Sequence, residues 1–397
     1  MARLFTSGAE ENNVVNAGPV WTATSGTISA ETSPVYSGTY SYRTQRTSGG
    51  TSILRWNLAS SVTSGTYYIR ARIRRAGTPS STINIIEVRD STGATNGWYL
   101  ELNTSNVLTL YSQDASSITG PTMALDTWYR IEIEAVISDT VGTLDFRVNG
   151  SSQGTLANED TLPTNIQQFR FGCLSTVTAA DLYWDDIAIN DATGSFSNSW
   201  PGDFKTAMVV PASDASVTWE DETAGAATYA NINSLPAAVD DVNYNVEAVN
   251  LSSVDRFGIS TIPAEVPSSA TMSLLHVMAR IGSNQTSTAS GNIRVWDEGG
   301  SSTDGDTFNC NLNGWKTATS SDAAARYGYP ANVSAKTKAN VQSYNIGYIN
   351  TTDVATRERR ISEMWVNLEW IESGETPPVA AFGDYAGQFR IIRPTLW

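Results

Sequence analysis

Apolar and polar residues alternate with a period of two along most of the first half of the chain. In TYYIRARIRR, residues 66–75, Tyr67, Ile69, Ala71 and Ile73 fall on one side, and Tyr68, Arg70, Arg72 and Arg74 on the other. That period belongs to a half-buried β-strand. The same pattern returns in TINIIEVRD, in GWYLELN after the turn signal STGATNG, and in LTLYSQ. TWYRIEIEAVI, residues 127–137, leads through the polar turn SDTVG into TLDFRVNG and SSQGTL, and FRFGCLS and LYWDDIAIND complete the set. Connections this short join antiparallel neighbours, so the pattern predicts two packed sheets over residues 1–193.

The alternation stops at DATGSFSNSWPGD, which reads as a linker over residues 194–203. A second strand-rich block follows over 204–372, with TAMVVPA, NYNVEAVN, TMSLLHVMARIG, GNIRVWDEG, VQSYNIGYIN and ISEMWVNLEWIE as its strongest elements. DETAGAATYANINSLP and SDAAARYGYPANVSAK lie between them as loops or short helices. The predicted fold class is all-β: two antiparallel β-sandwich, jelly-roll-like domains and an extended C-terminal tail, residues 373–397. Pro377 and Pro378 mark the start of that tail. Phe382, Tyr385, Phe389, Ile391, Ile392 and Trp397 make it too apolar for a solvated end, so it is expected to contact another subunit or a partner, with a tail folded back on its own domain as the alternative.

Composition narrows the function classes. The 397 residues carry a formal charge of −15, which repels nucleic acid and anionic membranes, so neither is expected as a partner. No apolar run approaches the roughly 20 residues of a membrane span, and MARLFTSGAEENN lacks the apolar core of a signal peptide. Cys173 and Cys310 are too few and too far apart for a disulfide framework or a zinc site, and each reads as a small buried thiol. A single histidine, His276, shares a strand face with Leu274 and Met278 and reads as a packing residue. Catalytic triads and multi-histidine metal sites are thereby disfavoured.

Several motifs carry family resemblances. GTYSYRTQ, WYRIEIEAVI followed by TLDFRVNG, and the closing LYWDDIAIND resemble the concanavalin-A or laminin-G jelly roll, over about residues 1–193. That family spans lectins, glycanases and inert spacers, so the resemblance speaks to fold more than to function. The second block is similar to a module of tailed-bacteriophage virion proteins. The similarity rests on AAVDDVNYNVE, on DRFGISTIPAEVPSSATMSLLHVMARI and on YNIGYINT followed by MWVNLEW; MARLFTSGAE also resembles the openings of such proteins. One departure is SAKTKANVQS, where such modules often place a Trp before the strand.

Carboxylate chemistry was the remaining option for an enzyme, since glycoside hydrolysis needs two acids about 5–10 Å apart. Jelly-roll glycanases of the laminarinase type carry acid-x-Asp-x-x-Glu on one strand. Here the run is Glu132-x-Glu134-x-x-Ile137, which lacks the third acid and replaces the middle Asp. Glu132 and Glu134 therefore read as the solvated face of a strand, and Arg70, Arg72 and Arg74 likewise. The candidate ligand-binding group is Tyr183, Trp184, Asp185 and Asp186. Adjacent strand residues point to opposite faces, so Asp185 and Asp186 diverge unless a bulge intervenes. Two roles stay open for them: the closing strand of a jelly roll, or one carboxylate holding calcium or a sugar at the sheet rim. No other cofactor is expected.

The resulting expectation is a non-enzymatic bacteriophage virion protein on the particle exterior, assembled in the host cytoplasm. It would be a surface-exposed tail or fibre-type component with a jelly roll able to meet a host-surface glycan. The expected partners are other virion proteins and copies of itself, with a trimer favoured. A capsid decoration or head-fibre protein, and a secreted lectin or glycanase, are the alternatives.

Overall fold

The alternating segments form strands whose apolar sides meet in two separate cores. A computed structural model describes residues 3–14, 20–177, 179–221, 223–224, 227–234, 241–247, 253–284, 289–310, 314–315, 329–351 and 358–372. The tail residues Phe382, Tyr385, Phe389, Ile391, Ile392 and Trp397 lie outside the described residues, as does the expectation attached to them. The architecture is all-β, with four antiparallel sheets stacked as two sandwiches.

In the first sandwich, one sheet runs in the order Ser151–Glu159, Gly142–Val148, Trp128–Ile137, Gly65–Arg75, Ala180–Asp191, Ser41–Arg46, Thr27–Glu31. Arg3–Ser7 pairs with the far end of Ala180–Asp191. We call this the inner sheet, because its outward face meets the second sandwich. The outer sheet runs Ser117–Thr122, Val107–Ser112, Asn96–Leu102, Ile83–Arg89, Ile166–Cys173, Ser52–Val62, Ala23–Ser25. Between them lies a core with Trp21, Trp56, Trp98 and Trp184 fully enclosed; the rings of Trp21, Trp56 and Trp184 meet Phe5, Tyr42, Phe169 and Phe171 edge-on or tilted. Tyr67, Ile69, Ala71 and Ile73 point into this core, as the alternation predicts. Gly172, in the middle of FRFGC, has φ +134°, and a Cβ there would sit 2.1 Å from the Ser52 carbonyl oxygen. Only glycine fits that approach. Cys173 is buried and free, and burial pushes its thiol up to about 12.

The second sandwich repeats the scheme. Its inner sheet is built on Arg359–Ile371 and Thr271–Ser283, with Lys205–Val209 paired to the first of these and Tyr329–Thr337 to the second. Its outer sheet runs Pro211–Ser216, Val254–Ile259, Asn345–Asn350, Ala289–Trp296, Ser302–Cys310. Part of SDAAARYGYPANVSAK departs from expectation: residues 329–337 form a strand rather than a loop or helix, while 321–328 lie outside the described residues. A five-residue helix, Lys338–Gln342, follows, opened by a capping box in which Thr337 and Asn340 bond each other's backbone N–H.

Candidate functional site

The strand Ala180–Asp191 holds the candidate residues, and its alternation breaks in the middle. Leu182 and Trp184 point into the first core, and so do Ile187 and Ile189. Two core residues an odd number of positions apart require an extra residue between them. The register supplies it: Asp185 lies opposite Arg72 and Ala188 opposite Arg70, three positions against two. Asp186 is the inserted residue, at φ +46°, a left-handed conformation that Asp tolerates better than most residues. The bulge on which the divergence was conditional is present, and it turns both acids to the outward face of the inner sheet. There they are fully buried beneath the second sandwich.

Each carboxylate is held by backbone. Asp185 Oδ2 accepts from the N–H groups of Tyr36 (2.9 Å) and Ser37 (3.3 Å), and its Oδ1 accepts from the Asp186 N–H at 2.8 Å. Asp186 Oδ1 accepts from Ser37 Oγ at 2.9 Å and from the N–H of Thr206, on the first strand of the second sandwich, at 2.7 Å. Burial, then the charge of Asp186, pushes the Asp185 carboxyl well above the usual aspartate range despite these donors. Burial also raises Asp186, against the pull of Arg70 and Arg72. Burial thus favours the protonated form of both acids.

The other two candidate residues part company. Trp184 is in the core, its indole N–H donating to Thr44 Oγ1 at 2.9 Å. Tyr183 lies on the opposite face, almost buried between the guanidiniums of Arg43 (5.4 Å) and Arg74 (5.6 Å). The four residues therefore do not form one exposed platform. Among the described residues, no three acidic, His or Cys side chains converge as metal ligands.

The same face gathers residues that alternation alone read as solvated. Arg70 and Arg72 are buried, not solvated. Arg70 donates to the Asp186 carbonyl at 2.8 Å and pairs with Glu369 of the second sandwich at 2.7 Å. Arg3 reaches the same carboxylate at 2.6 Å. Burial alone would raise Glu369, but Arg3 and Arg70 outweigh it and hold the carboxyl below its ordinary value. Arg72 stacks 3.8 Å over the Tyr36 ring and pairs with Asp203, which also meets Arg130 at 2.7 Å. Glu132 is buried too, paired with Arg130 at 3.0 Å and accepting from the Gly202 N–H at 2.8 Å. Residues 200–203 are thus packed into the seam, with Trp200 under Arg147. Of the acids and arginines that the alternation read as solvated, Glu134 and Arg74 keep partial exposure.

Sequence reasoning missed Arg3, Glu11, Asn367 and Glu369. Asn367 donates to the Thr6 carbonyl (2.8 Å) and to Glu11 (2.7 Å), joining the N-terminal strand to the second sandwich. The available signal was Glu363, Asn367 and Glu369 inside an otherwise apolar strand, which marks a face buried against something polar. His276 closes the seam from the other side, buried and lining a small cavity with Phe5, Glu11, Met278 and Trp365.

No protein-family model matches this chain, and no curated protein sequence matches it. Some solved structures resemble part of it. A cellulose-induced protein, Cip1, is 18% identical with a TM-score of 0.33, over 47% of this chain and 96% of its own. Domain 4 of an extracellular GH43 arabinanase from Geobacillus stearothermophilus, solved with arabinotriose, is 12% identical with a TM-score of 0.34, over 48% and 92%. The alginate lyase AlyC3 is 9% identical with a TM-score of 0.32, over 38% and 75%. At these values the likenesses decide nothing about ligand or activity.

Proposed function

We propose that the chain is a non-catalytic structural protein of a bacteriophage particle, carried on its exterior as a tail or fibre-type appendage. In this reading the first sandwich is the outward, glycan-facing module, and the second makes contacts with other virion proteins. The observation that supports it best is the state of the acids on the inner sheet. Glu132, Asp185 and Asp186 are all held by arginine, hydroxyl or backbone N–H partners inside the seam. Asp186 fixed in this way bonds the second sandwich through Thr206, and none of the three acids is free to face a substrate. A joint of buried ion pairs suits an arm that must hold its shape. The resemblance of the second block to virion modules supplies the particle, and an apolar end at 373–397 supplies a surface for copies of the chain, with a trimer favoured.

Two measurements test this reading. Immunogold labelling of particles should mark an appendage; gold on the capsid shell instead would make the chain a decoration protein, and unlabelled particles would overturn the proposal. In reducing-sugar release assays no turnover is expected. Turnover that disappears in Glu132→Gln would overturn the non-catalytic assignment.

A further inference from the structure

The outer sheet of the first sandwich carries an arrangement that the seam does not use. Residues on its outward side line up strand by strand, the central Glu87 buried and the other four half-buried: Tyr111 opposite Tyr99, Tyr99 opposite Glu87, Glu87 opposite Arg170, Arg170 opposite Arg55. Directly opposed residues share a face, so these five form one row across five strands. At about 4.8 Å per strand the row spans about 19 Å, enough for an extended oligosaccharide.

The two ends of the row differ in chemistry. At one end the half-buried rings of Tyr99 and Tyr111 stack, centroids 5.1 Å apart and 17° from parallel. Burial raises both phenols, so they remain protonated donors beside apolar ring surface. At the other end sit Arg55, Arg89 and Arg170, three guanidiniums against two carboxylates, Glu87 and Asp90. Arg89 claims Glu87, with Nε 2.7 Å from Oε2 and Nη2 3.0 Å from Oε1. Arg170 bonds only neutral oxygens, the Gln168 side chain and the Gly93 carbonyl. Arg55 Nε is enclosed and has no hydrogen-bond partner among the described residues.

In this chain of 40 acidic and 25 basic residues several other sheet arginines meet carboxylates, Arg43 with Asp181, Arg280 with Asp241 and Arg294 with Asp304, while Arg46 and Arg75 bond backbone carbonyls. The crowding has an electrostatic signature. Burial, then the charge of Arg89, with Arg55 adding to it, brings the Arg170 guanidinium down to about 10. A bound anion would relieve that repulsion. Two guanidiniums on neighbouring strands suit a planar carboxylate, which each can meet through paired N–H donors.

We propose that this row binds an oligosaccharide bearing one carboxylated sugar, its acid between Arg55 and Arg170 and its neutral end over Tyr99 and Tyr111. Glu101, half-buried beside the tyrosines, disfavours an acid at that end. The net charge of −15 disfavours a polyanion through its long-range field, so a single acid on a mostly neutral chain is the better fit. The proposal rests on the glycan-facing reading of the first sandwich and adds to it a place and a ligand class.

The test is calorimetric titration of the full chain with three matched pairs: cellobiouronic acid and cellobiose, glucuronate and glucose, sialyllactose and lactose. At least one acidic member should bind ten times or more tighter than its neutral partner. Arg55→Gln with Arg170→Gln should erase that preference, while Tyr99→Ala should weaken binding with the preference retained. Arg294→Gln, on the second sandwich, should change neither, and circular dichroism should show each variant folded. Equal binding within every pair, or a preference that survives the double arginine variant, overturns this site and leaves the glycan-facing reading standing. No binding to any of the six sugars, joined with a blank neutral-and-acidic glycan array, removes both.

Discussion

Glu369 sets the charge balance of the seam, since it is the one carboxylate that both Arg3 and Arg70 meet there. Removing its charge leaves two enclosed guanidiniums without a counter-ion, a change that costs about 3–5 kcal/mol in comparable buried pairs. Urea unfolding of Glu369→Gln should show a loss of that order, and a loss below about 1 kcal/mol would refute a seam held by this pair. Glu10 offers a second test at the scale of one side chain. It accepts from the N–H groups of Thr39 (2.8 Å) and Tyr40 (3.0 Å), yet burial pushes its carboxyl from 4.5 up to about 7. A carboxyl raised on folding holds its proton more tightly in the folded state. Its stabilising contribution is therefore full below about pH 4.5 and fades as the pH climbs through about 7. Asp185, Asp186 and Glu11 are shifted in the same direction by burial. The melting temperature should rise on acidification from pH 8 to pH 5, by about 1–3 kcal/mol in stability for Glu10. Glu10→Gln should flatten that slope, and an unchanged slope would place the effect elsewhere.

At the scale of the element, the strand Ala180–Asp191 depends on its one inserted residue. Were Asp186 kept in a regularly alternating strand, Ile187 and Ile189 would turn to the polar seam, and Ala188 and Asn190 into the core. Deletion of Asp186 removes the extra residue and leaves Ile187 and Ile189 facing the core. The deletion variant should therefore fold, as should Asp186→Gly, which keeps the left-handed backbone, each with a loss of about 1–3 kcal/mol from the lost Ser37 and Thr206 bonds. A deletion variant that fails to fold would contradict the bulge. The sequence made the strands legible wherever one face is apolar and the other polar, as in residues 66–75, and the core residues followed from the same alternation. What it could not show is what covers the polar face. Arg70 and Arg72 look the same in sequence whether water or a second sandwich lies over them. A bulge is likewise silent, because one inserted residue between Trp184 and Ile187 leaves no mark in composition. Strand 329–337 was hidden for another reason: Asn332, Ser334 and Lys336 do alternate with Ala331, Val333 and Ala335, but two alanines and one valine give the apolar side too little bulk to stand out.

At the scale of the molecule, the seam makes the two sandwiches thermodynamically dependent on each other. Arg3–Ser7 belongs to the sheet of the first sandwich, yet Arg3 and Thr6 bond Glu369 and Asn367 of the second. The chain then crosses back at Thr206, whose N–H holds Asp186. Unfolding either sandwich alone would expose a set of charges that is neutralised only by the other. Calorimetric melting of the whole chain should therefore give one transition with matching calorimetric and van't Hoff enthalpies. Because the pairs are enclosed, raising the salt from 0.1 M to about 1 M should leave that transition nearly in place, where a surface-charge joint would weaken. The double variant Glu369→Gln with Asn367→Ala cuts both bridges to the N-terminal strand while sparing the two apolar cores. It should split the melt into two transitions, one for each sandwich. A single undivided transition in that variant would mean that apolar contact, not the charged seam, couples the modules.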